Sequence, residues 1–97
     1  MAAYWISHGE VSDPETYGKY AAIAKGVIAD HGGEFLARGT KTIWLEGNDR
    51  SRNIVVKFPS VEDAIRCYES EEYQAALVFA RDVSVRELCI IEGDESS

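Results

Sequence analysis

The chain is poor in the residues that build metal centres, disulfide frameworks and nucleic-acid surfaces. Its 97 residues include two cysteines and two histidines, and 10 basic residues stand against 17 acidic ones, for a net charge of −7. Neither a bound metal nor a disulfide framework is expected, because the cysteines and histidines lack the spacing that either would need. Nucleic-acid binding is not expected either, because no basic stripe is present to neutralise phosphates.

Long apolar runs are missing as well. No segment approaches the roughly 20 apolar residues of a membrane-spanning helix, and residues 1–5 lack the basic region and apolar core of a secretory signal. The acidity argues against anionic membrane surfaces. We therefore expect a single domain over residues 1–97, located in the cytoplasm with reduced thiols, and with no cofactor and no membrane partner.

The chain instead contains two β-α-β patterns in succession, the first of which spans its N-terminal half. Residues 3–11 have the period-two pattern of a strand. Asp13, followed by a proline, predicts the start of a helix, and the two glycines after His31 predict its end. Residues 34–45 predict a long second strand with a bend or bulge at Gly39–Thr40.

The second half repeats the shape of the first but not its sequence. Residues 53–58 are rich in β-branched side chains and predict the third strand, and residues 86–92 predict the last one. Ser60 and Asp63 resemble a capping box, and a second helical start at Ser70 predicts that this helical region is in two pieces. The order βαββαβ predicts an α+β, ferredoxin-like fold: a four-stranded antiparallel sheet with its helices on one face.

Both faces of this sheet carry apolar side chains, although the helices can cover only one. Tyr4 and Ile6 oppose Trp5 on the first strand, and Val56 opposes Val55 on the third. Burial of about 600 Å² of apolar surface would contribute on the order of 10 kcal/mol before the costs of association. We therefore expect a homodimer in which a second copy covers the other face. The alternative is a monomer with scattered surface aromatics.

Short motifs along nearly the whole chain resemble those of one family. They are Ala3-Tyr4-Trp5-Ile6, Asp13-Pro14-Glu15, His31-Gly32-Gly33-Glu34-Phe35, Arg38-Gly39, Leu45-Glu46-Gly47, Phe58-Pro59-Ser60 and Ile91-Glu92-Gly93. In order and spacing they resemble the family called domain of unknown function 1330. The chain departs from many members at Glu71, where proline is frequent, and in the 47–52 turn, which lacks a tryptophan and a proline often seen there.

The resemblance implies a dimeric α+β barrel, in which two sheets pair around an interior that can hold a small ligand. Relatives in that superfamily include cofactor-free quinol-type monooxygenases, lactone isomerases and haem-binding peroxidases. The family itself has no established reaction, so the resemblance does not decide whether this chain is an enzyme.

The candidate ligand-binding residues are those that could face such an interior: Trp5, His31, Arg38, Trp44, Glu46 and Tyr68. His31 is the candidate general base, and its alternative role is to cap a helix. Arg38 is expected to anchor a ligand carboxylate or to pair with Glu46 or Glu34. The two tryptophans either line the barrel or fill the interface. Tyr68 and the other helical tyrosines have a spacing that is more typical of a core than of a ligand site.

These observations favour a small homodimer with an internal pocket for an aromatic or carboxylated organic molecule. A cofactor-free monooxygenase or isomerase is the first alternative, and it depends on superfamily analogy alone. A non-catalytic interaction protein is the second. A cavity faced by His31 and Arg38 would favour binding or catalysis, whereas a barrel filled by side chains would leave a structural role.

Overall fold

The computed structural model describes residues 1–38 and 41–94, which form a four-stranded antiparallel sheet and three helices. The elements are β1 (Ala3–Val11), α1 (Pro14–Asp30), β2 (Glu34–Ala37), β3 (Arg52–Phe58), α2 (Val61–Glu69), α3 (Glu71–Arg81) and β4 (Ser84–Glu92). The strand order is β2-β3-β1-β4, with every neighbouring pair antiparallel. The predicted ferredoxin-like fold is therefore confirmed. Within the described ranges, no helix is both long and apolar enough to cross a bilayer.

Side-chain caps explain where the helices begin and end. Asp13 accepts a hydrogen bond from the backbone N–H of Thr16 at 3.2 Å, so it caps α1 as predicted. Gly32 ends α1 with a φ of +80°, a conformation that glycine adopts without strain. Ser70 Oγ accepts from the N–H of Tyr73 at 3.2 Å and donates to a carbonyl of α2 at 2.8 Å. One serine thus ends α2 and begins α3, which confirms the predicted break.

Strand β2 is shorter than predicted. It covers Glu34–Ala37, not 34–45, and it pairs only with β3 because it lies at the edge of the sheet. The β2–β3 ladder ends with the Ala37–Val55 pair, and residues 41–45 have no partner strand among the described residues. The bend predicted at Gly39–Thr40 lies outside the described residues.

Residues 41–45 form no strand, although their side chains alternate as those of a strand would. The Trp44 ring contacts the His8 ring edge-on, with 5.2 Å between the ring centroids. Its neighbours Ile43 and Leu45 point outward and are 74% and 89% exposed. The prediction of a long strand was wrong because local alternation does not reveal whether a ladder partner exists.

Alternation along the strands separates two faces of the sheet. The covered face packs against the helices and contains a row of three cross-strand partners: Val56, Trp5 and Ile90. The open face, on the other side, contains the adjacent row: Val55, Ile6 and Cys89. Directly paired residues point to the same side of a sheet, so each row belongs to one face.

The hydrophobic core lies between the covered face and the helices. The indole Nε1 of Trp5 donates to the carbonyl of Ala64 at 3.2 Å, and its ring centroid lies 5.0 Å from that of Phe58. Helix α2 approaches the strands closely, whereas α1 packs mainly on α3 and stands off the sheet. The gap between α1 and the covered face is the position of the candidate site.

Candidate functional site

A pocket of about 330 Å³ occupies the gap between α1 and the covered face. Its buried wall is apolar and aromatic and consists of Trp5, Tyr17, Tyr20, Ala24, Ile28 and Val56. Exposed basic side chains line its mouth: Lys25, Arg38 and Arg52. The volume is at the lower end of the range of about 300–1,000 Å³ for small-molecule sites. The pocket therefore has the size of a small organic molecule.

Small side chains on both walls keep this space free. Ala21 and Ala24 of α1 line the pocket at positions where longer side chains would reach the sheet. Ser7 of β1, another small residue, lines the opposite wall. At these positions α1 therefore encloses a cavity instead of filling the space above the sheet.

All of the groups that are charged at neutral pH in the pocket lining are basic. They are Lys25, Arg38, Arg52 and Arg86. None of these four takes part in an ion pair within residues 1–38 and 41–94. The whole chain carries a net charge of −7, so the charge of the pocket lining is opposite in sign to the net charge of the protein. The half-buried guanidinium of Arg86, which has no carboxylate partner among the described residues, favours an anionic ligand.

Arg86 of β4 contacts two phenols at the buried end of the pocket. Its Nη2 donates to the hydroxyl oxygen of Tyr20 at 2.8 Å and to that of Tyr73 at 3.2 Å. The two hydroxyl oxygens are 2.7 Å apart. The Arg86 Nε is buried and has no acceptor among the described residues, which is unfavourable unless an acceptor from elsewhere occupies the site. Arg86 therefore lines the pocket with a positively charged side chain, one of whose buried donors has no acceptor among the described residues.

Two of the guanidinium groups at the mouth rest on aromatic rings. The Arg52 Cζ lies 5.0 Å from the ring centroid of Tyr17, and the Arg38 Cζ lies 4.3 Å from that of Phe35. Such contacts hold the cation beside the apolar wall while leaving its N–H groups available. The mouth of the pocket can thus attract and orient an anion.

The pocket lining offers hydrogen-bond donors but few side chains that could accept a proton. Burial raises the pKa of Tyr20, and the neighbouring phenol of Tyr73 adds to this effect, so the Tyr20 hydroxyl stays protonated in neutral solution. Among the described residues, no His, Cys, Asp or Glu side chain lines the pocket. The arrangement is suited to holding an anion more than to removing a proton from a ligand.

Two of the residues predicted to face an interior between two paired sheets line this pocket instead, which lies between α1 and the covered face of one chain. Trp5 forms part of its wall, and Arg38 lies at its mouth. Tyr68 lines a separate hollow of about 230 Å³ beside α3, together with Arg81 and Arg86. The structure therefore brings Trp5 and Arg38 together and places Tyr68 in an adjoining hollow.

The other predicted residues lie elsewhere. The Nδ1 of His31 is 2.9 Å from the carbonyl oxygen of Val27 in the preceding turn of α1. Trp44 contacts His8 on the open face, and Glu46 is exposed. Arg38 pairs with neither Glu46 nor Glu34, since the ion pairs of the described residues involve other side chains. A part in ligand binding stays a prediction for His31, Trp44 and Glu46.

Two residues define the buried end of the pocket and were not predicted from the sequence as ligand contacts: Tyr20 and Arg86. A signal for Arg86 was present, because it alternates in register with Leu88 and Ile90 on β4. That register places a charged side chain on the covered face beside two core residues. Such a side chain needs a partner, and its position would have indicated a site.

The family described as Domain of unknown function (DUF1330) matches residues 2–94 of the chain. None of the curated proteins matches it in sequence. Three of the similar solved structures are a protein of unknown function from Rhodopseudomonas palustris, the cofactor-independent oxygenase SnoaB from Streptomyces nogalater, and a dimeric ferredoxin-like protein of unknown function from Thermobifida fusca.

These three structures share the fold at low sequence identity. The Rhodopseudomonas protein is 16% identical, with 97% of this chain and 83% of that chain covered and a TM-score of 0.75. SnoaB is 12% identical, with coverage of 97% and 94% and a TM-score of 0.66. The Thermobifida protein is 13% identical, with coverage of 96% and 92% and a TM-score of 0.67. Identities this low establish a common architecture and leave the chemistry of the site to be argued from its own residues.

Proposed function

This chain belongs to the family described as domain of unknown function 1330, and we propose that it is a homodimer in which the pocket under α1 binds a small organic anion. The observation that carries this proposal is the charge of the pocket. Four basic side chains line an otherwise apolar cavity in a protein of net charge −7, and none of them pairs with a carboxylate in the described chain.

The wall of the pocket favours a ligand with a flat, apolar body. Trp5 and Tyr17 offer aromatic surfaces, and Val56 and Ile28 offer aliphatic ones. A ring packed there would place a carboxylate beside the guanidinium of Arg86, whose Nε lacks an acceptor in the described part of the chain. Small aromatic carboxylates combine both features, and benzoate is the simplest probe of this class.

A cofactor-independent oxygenase is the second candidate. SnoaB, which has this fold, is an oxygenase of that kind. In this chain, the donors of Arg86 and Tyr20 would stabilise the oxygen anion of an enolate or phenolate. Binding is the better-supported function, because the described pocket lining offers no side chain suited to accept the ligand's proton.

The open face supports the homodimer. Val85 and Ile91 of β4 are 57% and 53% exposed there, and Ile6 and Val55 lie between them and β2. The similar structures from Thermobifida fusca and Bacteroides fragilis are described as dimeric. The proposal also includes a cytoplasmic location, where the exposed free thiol of Cys89 would stay reduced.

Thermal unfolding in the presence of benzoate tests the pocket. Benzoate should raise the Tm of the wild-type protein in a concentration-dependent way, because a ligand that binds only the folded state stabilises it. Arg86→Met should abolish the shift. The control Arg81→Met removes a cation that lines the adjoining hollow but not the pocket, and it should keep the shift. The proposal fails if benzoate does not stabilise the wild type, or if the Arg86 variant is stabilised equally.

A further inference from the structure

In the triad of Tyr20, Tyr73 and Arg86, the two phenols have one hydroxyl hydrogen more than the triad can accept. A guanidinium only donates, so both phenol oxygens accept from Arg86 Nη2. The two phenols share a single hydrogen bond of 2.7 Å, which uses the hydrogen of only one of them. The hydrogen of the other phenol has no acceptor within the triad.

Burial decides which phenol keeps the spare hydrogen. Tyr73 is 0% exposed and does not line the pocket, whereas Tyr20 does line it. A hydroxyl hydrogen sealed in the core without an acceptor is unfavourable, while one that faces a pocket can be satisfied by whatever occupies it. Tyr73 therefore donates to Tyr20, and the hydrogen of Tyr20 is available to the pocket.

We propose that this triad makes the pocket selective for a carboxylate over a neutral oxygen. Tyr73 donates to Tyr20, Tyr20 donates to a carboxylate oxygen of the ligand, and Arg86 lies beside that oxygen. The inference rests on the proposed function and adds to it the residue that distinguishes the charge state of the ligand. Tyr73 is a positioning residue, since it acts through Tyr20 and lines no part of the pocket.

A carboxylate fits this arrangement because it only accepts hydrogen bonds. An alcohol brings a hydrogen of its own to a place where Tyr20 and Arg86 already donate, so it satisfies the donors less completely. Burial raises the pKa of Tyr20, which keeps its hydrogen in place at neutral pH. A charge-assisted bond from a phenol to a carboxylate is also stronger than a neutral one.

Fluorescence titration with a matched pair of ligands tests the inference. Trp5 lines the pocket and Trp44 lies on the open face, so the Trp44→Phe background leaves one indole that reports on binding. In this background, benzoate should bind more tightly than benzyl alcohol. Tyr20→Phe should raise the Kd for benzoate about tenfold or more and that for benzyl alcohol by less than about twofold. The control Tyr4→Phe removes a phenol from the opposite face and should change neither.

Tyr73→Phe separates a positioning role from a purely structural one. Without the hydrogen from Tyr73, the Tyr20 hydroxyl can turn away from the pocket, so the preference for benzoate over benzyl alcohol should fall, though less than in Tyr20→Phe. A variant that only loosened the core would weaken both ligands by the same factor. An equal loss for both ligands would therefore overturn the assignment of Tyr73.

The outcomes distinguish this inference from the proposed function. If benzoate binds the wild type but binds folded Tyr20→Phe equally well, the inference is wrong and the proposed function stands. If neither ligand binds the wild type, both are wrong. Should Tyr20→Phe not fold, NMR of the wild-type hydroxyl protons replaces it. Benzoate should then shift the Tyr20 hydroxyl resonance, and a shift confined to the Tyr73 hydroxyl, or no shift, would overturn the inference.

Discussion

The covered and open faces of the sheet are built by the same strands, yet they have different environments. Val56 is 1% exposed on the covered face, while its neighbour Val55 is only half-buried on the open face. The covered face contains the core and the pocket with its unpaired basic side chains. The open face contains apolar side chains that no helix of the described chain packs against. The difference is the basis for our proposal that ligand binding belongs to the covered face and assembly to the open one.

Truncation of a large side chain on the covered face should have the largest effect. Phe58 is 0% exposed, and Phe58→Ala should lower the free energy of unfolding by about 3–5 kcal/mol because it leaves a cavity. Ile91→Ala, on the open face, should cost much less at concentrations where the protein is monomeric. Urea denaturation of both variants measures the difference. Equal losses would remove the distinction between the two faces.

A charge on the open face should separate the two subunits and leave the subunit folded. Ile91→Glu would place a carboxylate in the proposed interface, and it should weaken the dimer at least tenfold because an unpaired charge would be buried there. Ile65→Glu is the matched control, since Ile65 is 40% exposed on α2. Light scattering should give twice the chain mass for the wild type and the control, and the mass of one chain for Ile91→Glu. A wild-type monomer at micromolar concentration would contradict the dimer.

The adjacent valines of β3 allow the two faces to be compared with the same substitution, although the expected effects on stability are smaller. Val56→Ala should cost about 1–3 kcal/mol at every protein concentration, since Val56 is buried within one chain. Val55→Ala should cost a similar amount only where the dimer is populated, and less on dilution. The measurement is the urea midpoint of each variant across a range of protein concentrations. If the Val55→Ala cost does not depend on concentration, the second copy does not cover that residue.

Alkaline pH should lower the free energy of unfolding through the ionisation of Tyr20, which is buried between α1 and the covered face. Burial raises the pKa of this phenol above its ordinary value of 10.0, so the unfolded chain releases the proton first. The contribution of Tyr20 to stability is therefore complete below pH 10 and is lost as the pH rises beyond it. Tyr20→Phe should show a shallower loss of stability between about pH 9 and pH 11 than the wild type. Tyr4→Phe, on the open face, should keep the wild-type slope, and a shared slope for all three proteins would contradict the buried position of Tyr20.

Much of the fold could be predicted because its signals are local. Asp13 and Ser70 cap helices through bonds to residues only three positions away, and such spacing is visible in a sequence. The extent of β2 could not be predicted, because it depends on where β3 offers a partner. The period-two pattern at Ile43–Leu45 carries no information about that partner.

The candidate site was harder to predict because it depends on distances between elements. Trp5 and Arg38 were predicted to contact a ligand in the interior between two paired sheets, and they line a pocket under α1 instead. The role of Arg86 depends on Tyr20 and Tyr73, which lie 66 and 13 residues away in the chain. The pocket itself exists because α1 stands off the sheet, a feature of packing that the local sequence of α1 does not reveal.

The most direct test of the account is a crystal structure of the protein soaked with 4-bromobenzoate, read from the anomalous signal of bromine. The account predicts a bromine peak in the pocket between α1 and the covered face, with the carboxylate against Arg86 and the Tyr20 hydroxyl. A peak on the open face or in the hollow beside Tyr68, with the pocket under α1 empty, would contradict it.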